Sequence, residues 1–301
     1  MRRGLIVTPR WAADPATRRP SPAPDHLARH PLVPTIAAMI KLVIHGAAGR
    51  MGLRLIALAA EDAQLQVVGA VDQPGHAMVG RDVGELAGVG SAGVALSDSL
   101  CSDGDVLIDF SVPAATRAML GACASEAMSM VIGTTGLSAR DHAAIDQAAE
   151  QIAIMQAPNM SLGVNLLFSL AAQAAQRLGD DYDIEIVETH HRFKQDAPSG
   201  TAIGIADAIC QATGKSLEQT LVHGRHGGDV PRKRGEIGMH ALRSGDLAGR
   251  HAASFGTLGE ELTLSHVATT RDVFARGALT AAKWLAGKPA GRYQMKDVLG
   301  L

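Results

Sequence analysis

Residues 188–202, with the sequence ETHHRFKQDAPSGTA, concentrate side chains that could do chemistry. His190 and His191 can each give or take a proton near neutral pH, and Lys194 can donate a proton or anchor a carboxylate. The segment ends in PSGT, residues 198–201, where free N–H groups at a helix start would suit an anion. Because neighbouring strand residues point to opposite faces, the two histidines can share a pocket only where a strand has ended. The segment therefore predicts proton transfer beside an anion site.

A glycine-rich turn forms a second candidate site. The sequence GAAGRMG places Gly46, Gly49 and Gly52 between the apolar run IKLVIH and a stretch with helical spacing. Glycines permit a tight turn there, and the N–H groups at the helix start can hold a pyrophosphate. Asp72 ends the next apolar run, 20 residues after Gly52, where a carboxylate could meet the adenosine ribose hydroxyls. This pattern predicts a nicotinamide dinucleotide site.

The charges near this turn bear on which dinucleotide binds. Asp72 would repel a 2′-phosphate, whereas Arg50 could pair with it, and Gln73 is neutral. We therefore predict NADH as the cofactor, with NADPH also accepted. GTTG (133–136) and APN (157–159) end further apolar runs and could face the nicotinamide.

The elements that must position these residues alternate along the first half of the chain. Helix-compatible segments separate several of the short apolar runs, which are IKLVIH (40–45), VVGAVD (67–72), DVLIDFS (105–111), MVIGTTG (130–136) and IAIMQAPN (152–159). Such alternation predicts right-handed βαβ crossovers and a Rossmann-like parallel sheet, with ligands at the carboxyl ends of its strands.

After Asn159 the pattern changes to that of a second, α+β domain. Helices are predicted over 163–178 and 201–213, with a strand over 183–190 between them. Alternation broken by glycine turns predicts an antiparallel meander within 237–268. The predicted fold class is thus α/β, a Rossmann-like domain plus an α+β domain with a mainly antiparallel sheet.

The composition excludes several classes of protein. With 47% hydrophobic and 19% charged residues the chain is neither disordered nor collagen-like, and no apolar run approaches the ~20 residues that span a bilayer. A net charge of -2 and 3% aromatic residues argue against nucleic-acid binding. Cys101, Cys123 and Cys210 are too far apart for a CxxC site, and they indicate a reducing, cytoplasmic compartment. Without an HExxH motif or paired CxxC motifs, no metal site is predicted.

Residues 1–39 differ from the rest of the chain. They hold seven of the 13 prolines and six arginines, with only Asp14 and Asp25 as acids and no amphipathic period. This composition predicts a disordered extension. An Arg-rich, acid-poor leader could be a transit peptide, but a start codon assigned too early, with Met39 as the initiator, is the interpretation we favour.

These motifs together resemble the 4-hydroxy-tetrahydrodipicolinate (dihydrodipicolinate) reductase family. The resemblance covers roughly residues 39–301 and is carried by GAAGRMG, GTTG, APNMSLGVN, ETHHRFKQDAPSGTA and the closing KDVLGL. It implies NAD(P)H-dependent reduction of 4-hydroxy-tetrahydrodipicolinate, by way of dihydrodipicolinate, to tetrahydrodipicolinate on the diaminopimelate route to lysine. A small cyclic dicarboxylate is then the substrate, and the cytoplasmic enzyme is a homotetramer built through the second domain's sheet.

The resemblance also implies roles for single residues. His190 is the implied proton donor or acceptor and Lys194 the implied proton donor, while substrate contacts fall on His191, Gly200 and Thr201. The implied cofactor-binding residues are Gly46, Ala47, Ala48, Gly49, Arg50, Met51, Asp72, Gly133, Thr134, Thr135, Ala157, Pro158, Asn159 and Met160.

Two departures from the family pattern concern the cofactor. Asp72 stands where bacterial members often have Glu, and Gln73 replaces a basic residue that some members use for the 2′-phosphate. Both put a preference for NADPH in doubt.

The predicted domain organisation follows these boundaries. Residues 40–160 form the dinucleotide-binding domain, and residues 161–270 form the domain for substrate binding and oligomerisation. The resemblance implies that residues 271–301 return to complete the first domain.

Two other functions compete with this interpretation. Another two-domain nicotinamide oxidoreductase, such as an amino-acid or polyol dehydrogenase, could use the same first half with a different substrate domain. A non-catalytic sensor that binds the dinucleotide would need no proton donor and could discard the cluster in residues 188–202, which is intact here.

Overall fold

The computed structural model describes residues 39–100 and 103–301. Within these ranges the strands are β1 Ile40–His45, β2 Leu65–Val71, β3 Leu96–Ser97, β4 Val106–Asp109, β5 Ser129–Ile132, β6 Ala153–Gln156, β7 Asp183–His190, β8 Leu221–His223, β9 Ile237–Arg243, β10 Gly249–Thr257, β11 Glu260–Ala268 and β12 Gly291–Tyr293. The helices there are α1 Arg50–Ala59, α2 Val83–Ala87, α3 Pro113–Ser125, α4 Ala139–Ala148, α5 Leu162–Leu178, α6 Gly200–Thr213, α7 Leu217–Thr220, α8 Asp272–Leu285 and α9 Met295–Leu299.

Two predictions from the sequence are only partly covered by the described residues. The predicted N-terminal extension, apart from Met39, lies outside the described residues, and so does Cys101. Among the helices that the structure does describe, none combines the length and apolar character needed to cross a bilayer.

The first sheet has seven strands, all parallel, in the order β12-β6-β5-β4-β1-β2-β3. Every residue of β4 and β5 is buried, because helices cover both faces. In β1, Leu42 and Ile44 pack with residues of α1 and α8, whereas Val43 packs with residues of α3 and α4. The predicted Rossmann-like sheet is confirmed. The carboxyl ends of β1, β2, β4, β5 and β6 form the edge where ligands bind in such folds.

The second sheet has the order β11-β10-β7-β9-β8. β10 runs antiparallel to both β11 and β7, whereas β9 runs parallel to β7 and β8. Antiparallel pairing covers the larger part of the register, so the predicted fold class is confirmed. The predicted meander within 237–268 is wrong in one respect, because β7 lies between β9 and β10. Alternation in a strand determines which face is buried, but not which strand is its neighbour.

Helices α5 and α6 cover one face of the second sheet. The core between them contains Ile186 of β7, Phe255 of β10 and Ile205 of α6, all fully buried. The opposite face carries Leu242 and Val267 with exposed side chains. This sheet therefore has one covered and one open face.

The C-terminal segment packs against the first sheet. Helix α8 contributes a buried stripe of small residues and Leu285 to the core shared with α1, and β12 pairs with β6 at the sheet edge. The domain boundaries drawn from the sequence stay predictions.

Candidate active site

The glycine turn joins β1 to α1, and two of its glycines have no room for a side chain. Gly46 has a φ of +74°, and a Cβ there would lie 2.6 Å from the carbonyl oxygen of Phe110. A Cβ at Gly52 would lie 2.3 Å from the carbonyl oxygen of Gly46. Because non-bonded carbon atoms normally approach to about 3.5–4 Å, only glycine fits at either position. Helix α1 thus begins in direct contact with the turn.

Unpaired N–H groups mark the start of α1. Those of Arg50 and Met51 donate to no acceptor in the described residues, and the N-cap residue Gly49 has no side chain to cap them. The Ala48 N–H instead donates to Asp72 Oδ2 at 2.9 Å. Asp72 therefore holds the turn against β2, while the helix start stays free to bind an anion such as pyrophosphate.

A cavity of about 550 Å³ opens beside the turn. The predicted cofactor residues that line it are Gly46, Ala48, Gly49 and Asp72. Side chains that the sequence analysis did not select also line it, including His45, His76, Asp98, Phe110 and Ser111. The predicted residues Ala47, Arg50 and Met51 lie outside this lining, with Ala47 buried and Arg50 exposed.

Asp109, at the end of β4, is a fully buried carboxylate that orders the neighbouring loops. It accepts hydrogen bonds from the hydroxyls of Ser111 at 2.6 Å and Thr134 at 2.9 Å, and His45 Nδ1 lies 2.9 Å from it. Burial acts to raise the pKa of Asp109, but His45 and the hydroxyl donors outweigh burial and lower it. The Thr134 hydroxyl is therefore committed to the protein interior.

A second cavity, of about 700 Å³, lies between residues that follow β5 and β6 and the start of α6. Its lining brings together the predicted site residues Thr135, Pro158, Asn159, His190, His191, Lys194, Gly200 and Thr201. Strand β7 ends at His190, so both histidines reach this cavity. Asn159 Nδ2 donates to Thr201 Oγ1 at 2.9 Å and links the two halves of the lining. The predicted residues outside it are Gly133, Thr134, Ala157 and Met160.

The buried carboxylate of Glu188 connects His190 to the protein interior. Its Oε2 lies 2.6 Å from His190 Nδ1, and Arg243 binds both of its oxygens at 2.9 Å. Burial acts to raise the pKa of Glu188, but the hydrogen bonds from Arg243 and His190 outweigh burial and lower it. The pKa of His190 is lowered by burial, with the nearby charges of Lys194 and Arg243 acting in the same direction, although Glu188 acts to raise it. His190 is therefore mainly neutral at pH 7, beside an ionised carboxylate.

The N-terminus of α6 offers an anion site. Ser199 is the N-cap, and its hydroxyl accepts a hydrogen bond from the Ala202 N–H at 3.2 Å. The N–H groups of Gly200 and Thr201 donate to no acceptor in the part of the chain that the structure describes. His251 Nε2 lies 2.9 Å from the Ser199 hydroxyl, and burial lowers the pKa of His251 to about 4. The helix start thus presents free donors on a well-supported turn.

Two cations also line the second cavity. Lys194 Nζ donates to both carboxylate oxygens of Asp196, at 2.7 and 2.8 Å, and this lowers the pKa of Asp196. Arg271 Nη2 lies 3.3 Å from His191 Nε2. Because the Asp196 side chain is 66% exposed, its ion pair with Lys194 is weak, about 1 kcal/mol or less. Lys194 can therefore exchange Asp196 for another carboxylate.

Sequence reasoning missed several of these residues. A signal exists for Glu188, because the alternating buried positions of β7, Ile184 and Ile186, continue to Glu188 and His190. A carboxylate on an apolar face needs partners, so it could have been selected. Arg243 and His251 carry no such signal, since their contacts depend on strands paired far along the chain.

Comparison with known families accounts for nearly the whole described chain. Residues 40–160 match the family model described as "Dihydrodipicolinate reductase, N-terminus". Residues 163–299 match the model described as "Dihydrodipicolinate reductase, C-terminus".

Individual proteins show the same similarity. The chain is 47% identical over 264 residues to a 4-hydroxy-tetrahydrodipicolinate reductase of Alkalilimnicola ehrlichii, covering 87% of this chain and 99% of that one. It is 46% identical over 266 residues to the enzyme of that name from Geobacter metallireducens, covering 87% and 100%. A solved structure of dipicolinate-bound dihydrodipicolinate reductase from Paenisporosarcina sp. TG-14 has the same fold, with a TM-score of 0.69, 24% identity, and coverage of 85% of this chain and 97% of that one.

Proposed function

The chain belongs to the dihydrodipicolinate reductase family, and on that premise we propose that its two cavities form one active site for reducing a small cyclic dicarboxylate. It is an NAD(P)H-dependent oxidoreductase that reduces 4-hydroxy-tetrahydrodipicolinate, by way of dihydrodipicolinate, to tetrahydrodipicolinate on the diaminopimelate route to lysine. One observation carries the site proposal. The second cavity joins Thr135 and Asn159, which follow strands of the nucleotide-binding sheet, to His190, Lys194 and the start of α6.

The first cavity fits the adenosine half of the dinucleotide. Gly46 and Gly52 keep the turn clear of side chains, the free N–H groups of Arg50 and Met51 would hold the pyrophosphate, and Asp72 would accept from ribose hydroxyls. The nicotinamide half would lie against the residues after β5 and β6, Gly133–Thr135 and Ala157–Met160. When bound, the nicotinamide supplies the hydride.

Charge around the first cavity favours NADH, with NADPH accepted. Asp72 and Asp98 both line this cavity, Gln73 is neutral, and Arg50 has no ion-pair partner among the described residues. Arg50, an exposed residue outside the cavity lining, is thus the cation that would pair with a 2′-phosphate, against the repulsion of two carboxylates.

The second cavity supplies the partners that a dicarboxylate requires. The free N–H groups of Gly200 and Thr201, reinforced by the dipole of α6, would bind one carboxylate. Lys194 would exchange Asp196 for a substrate carboxylate, and His191 would provide a further donor. Fixing both carboxylates orients the ring for reduction.

Reduction at C4 of the unsaturated ring leaves an enamine whose carbon must take a proton. We assign this proton to His190 or Lys194, which line the same cavity. Burial lowers the pKa of His190 in the free protein. The two negative charges of the substrate would act in the opposite direction and favour the protonated ring.

Assembly and location complete the proposal. We propose a homotetramer formed through the open face of the second sheet, where Val187, Leu242 and Val267 offer apolar surface. Sedimentation velocity should give the mass of four chains, and Leu242→Glu should reduce it; a monomeric wild type would contradict the proposal. The free thiols of Cys123 and Cys210 support a cytoplasmic location.

The test of the proposed function follows NADH and NADPH oxidation, with substrate formed in situ from pyruvate and aspartate semialdehyde. His190→Ala and Lys194→Ala should each reduce kcat by about 10²-fold or more. His226→Ala and Lys296→Ala, at exposed positions outside both cavities, are the matched controls and should keep the wild-type rate. Tight dinucleotide binding without turnover would contradict the reductase function and favour a sensor or another dehydrogenase.

A further inference from the structure

We propose that Glu188 is a positioning residue for this reaction, which fixes the His190 proton on Nδ1 and makes Nε2 the ring nitrogen that exchanges a proton with the substrate. This inference rests on the proposed function and deepens it, because it identifies the group that prepares the proposed proton donor.

Four donors surround the Glu188 carboxylate, whose side chain is fully buried. His190 Nδ1 and Arg243 Nη1 contact Oε2 at 2.6 and 2.9 Å, while the Ser199 N–H and Arg243 Nη2 contact Oε1 at 3.1 and 2.9 Å. Arg243 is itself held by the carbonyl oxygens of Leu242 and Asp196. The carboxylate is therefore satisfied on all sides and fixed in place.

This arrangement determines the tautomer of His190. An ionised carboxylate can only accept hydrogen bonds, so the short contact places the ring proton on Nδ1. In the neutral ring, Nε2 then carries no proton. A Cβ at position 249 would lie 2.9 Å from Nε2, so Gly249 keeps the surroundings of that nitrogen open.

The same carboxylate links the proton donor to the anion site. By accepting the Ser199 N–H, Glu188 holds the residue that caps α6, where Gly200 and Thr201 offer their free N–H groups. One buried group thus sets the position of His190 relative to a bound carboxylate. A hydrophobic residue at position 188 could fill the space, but it could accept a hydrogen bond from neither His190 nor Ser199.

Other charged or titratable groups also act on His190. Lys194 follows in the turn after β7, Arg243 comes from β9, and the His251 ring of β10 lies 5.1 Å away in an edge-on arrangement. Among the groups near the ring, Glu188 is the one acceptor in contact with a ring nitrogen in the described structure.

Glu188→Gln tests the proposal because it keeps the size but places an amide where the carboxylate was. The Ser199 N–H and Arg243 Nη2 can only donate, so they hold the amide oxygen on their side and turn the amide N–H toward His190 Nδ1. That N–H would oppose an Nδ1 proton and favour the Nε2–H tautomer. Glu185→Gln is the matched control on the same strand. Glu185 faces the opposite side, where it lies 2.7 Å from His240 Nε2 and pairs with Arg225 at 3.0 Å.

Two measurements are needed, together with melting temperatures to establish folding. Steady-state kinetics give kcat and KM. Long-range ¹H–¹⁵N correlation spectra of the free protein report which ring nitrogen of each histidine carries the proton, with His190 identified by its loss in His190→Gln. We expect Glu188→Gln to move this proton to Nε2 and to lower kcat by about 10²-fold, with a smaller change in KM. Glu185→Gln should change neither.

The outcomes separate this proposal from the proposed function. An unchanged His190 tautomer in Glu188→Gln overturns the proposal whatever the rate, and so does a changed tautomer with full kcat. A wild type that shows no reductase activity contradicts the proposed function instead, while the spectra still decide whether Glu188 sets the tautomer.

A second variant serves if Glu188→Gln does not fold. Arg243→Lys keeps a cation but loses the two-point contact, so the Glu188 pKa should rise. Activity should then be lost at a higher pH as the medium is acidified, with His190 still protonated on Nδ1 at neutral pH. An unchanged acid limb of the kcat profile would argue against the role of Glu188.

Discussion

Replacing Gly52 with alanine should disrupt the glycine turn at its contact with α1. In a helix interior this substitution normally stabilises by about 0.5–1 kcal/mol. At Gly52, however, the new Cβ would lie 2.3 Å from the Gly46 carbonyl oxygen and 2.6 Å from Ala47 Cα. The turn would have to move by roughly an ångström to restore normal contact. Since overpacking costs about 1–3 kcal/mol, we expect a net loss of about 1–2 kcal/mol in the free energy of unfolding.

Gly121 provides the matched control, because it is also helical but has no atom within 4 Å of the position of a Cβ. Gly121→Ala should raise the melting temperature, whereas Gly52→Ala should lower it by about 2–8 °C, at about 2–4 °C per kcal/mol. Titration of NADH should show binding at least about tenfold weaker in Gly52→Ala, equivalent to about 1.4 kcal/mol, and unchanged in Gly121→Ala. If Gly52→Ala were as stable as wild type and bound NADH normally, the argument from the closed turn would be refuted.

Three further predictions concern buried and surface groups. The pKa of His251 is lowered to about 4, against about 6.5 in the unfolded chain. The folded protein resists protonation of this ring, so stability is lost as the pH falls from about 6.5 toward 4. His251→Gln should therefore reduce the acid-induced loss in the free energy of unfolding, measured by urea titration, by up to about 3 kcal/mol; an equally steep decline would contradict this. Burial raises the pKa of Cys123 to about 12, so Ellman's reagent should label its thiol after unfolding but not in the native protein, with Cys123→Ala as the reference. Arg54→Ala breaks an exposed ion pair with Asp272 and should leave the urea midpoint close to that of the wild type; a clear loss of stability would show that the pair is not a surface contact.

Much of the fold was readable from local patterns. Short apolar runs ending in turn residues identified β1, β2, β4, β5 and β6, and spacing identified α5 and α6 to within a residue or two. The short elements α2, α7, β3, β8 and β12 were not predicted, because so few residues give no clear period. The predicted meander was wrong for a different reason. It placed β10 beside β9, whereas β7 lies there in the structure, and the alternation of buried and exposed residues within each strand is the same in both arrangements.

The candidate site divides in the same way. His190, Lys194 and Thr201 lie within one short segment, so their proximity follows from chain connectivity. The residue type of the three glycines, together with the apolar run before them, indicates a tight turn. Local sequence was therefore sufficient to find a dinucleotide turn and a proton-transfer segment. Which groups support them was decided by tertiary structure, because Arg243 and His251 reach Glu188 and Ser199 only through the register of β9 and β10 with β7. Strand register comes from packing and backbone hydrogen bonds between distant segments, and no local pattern of side chains encodes it.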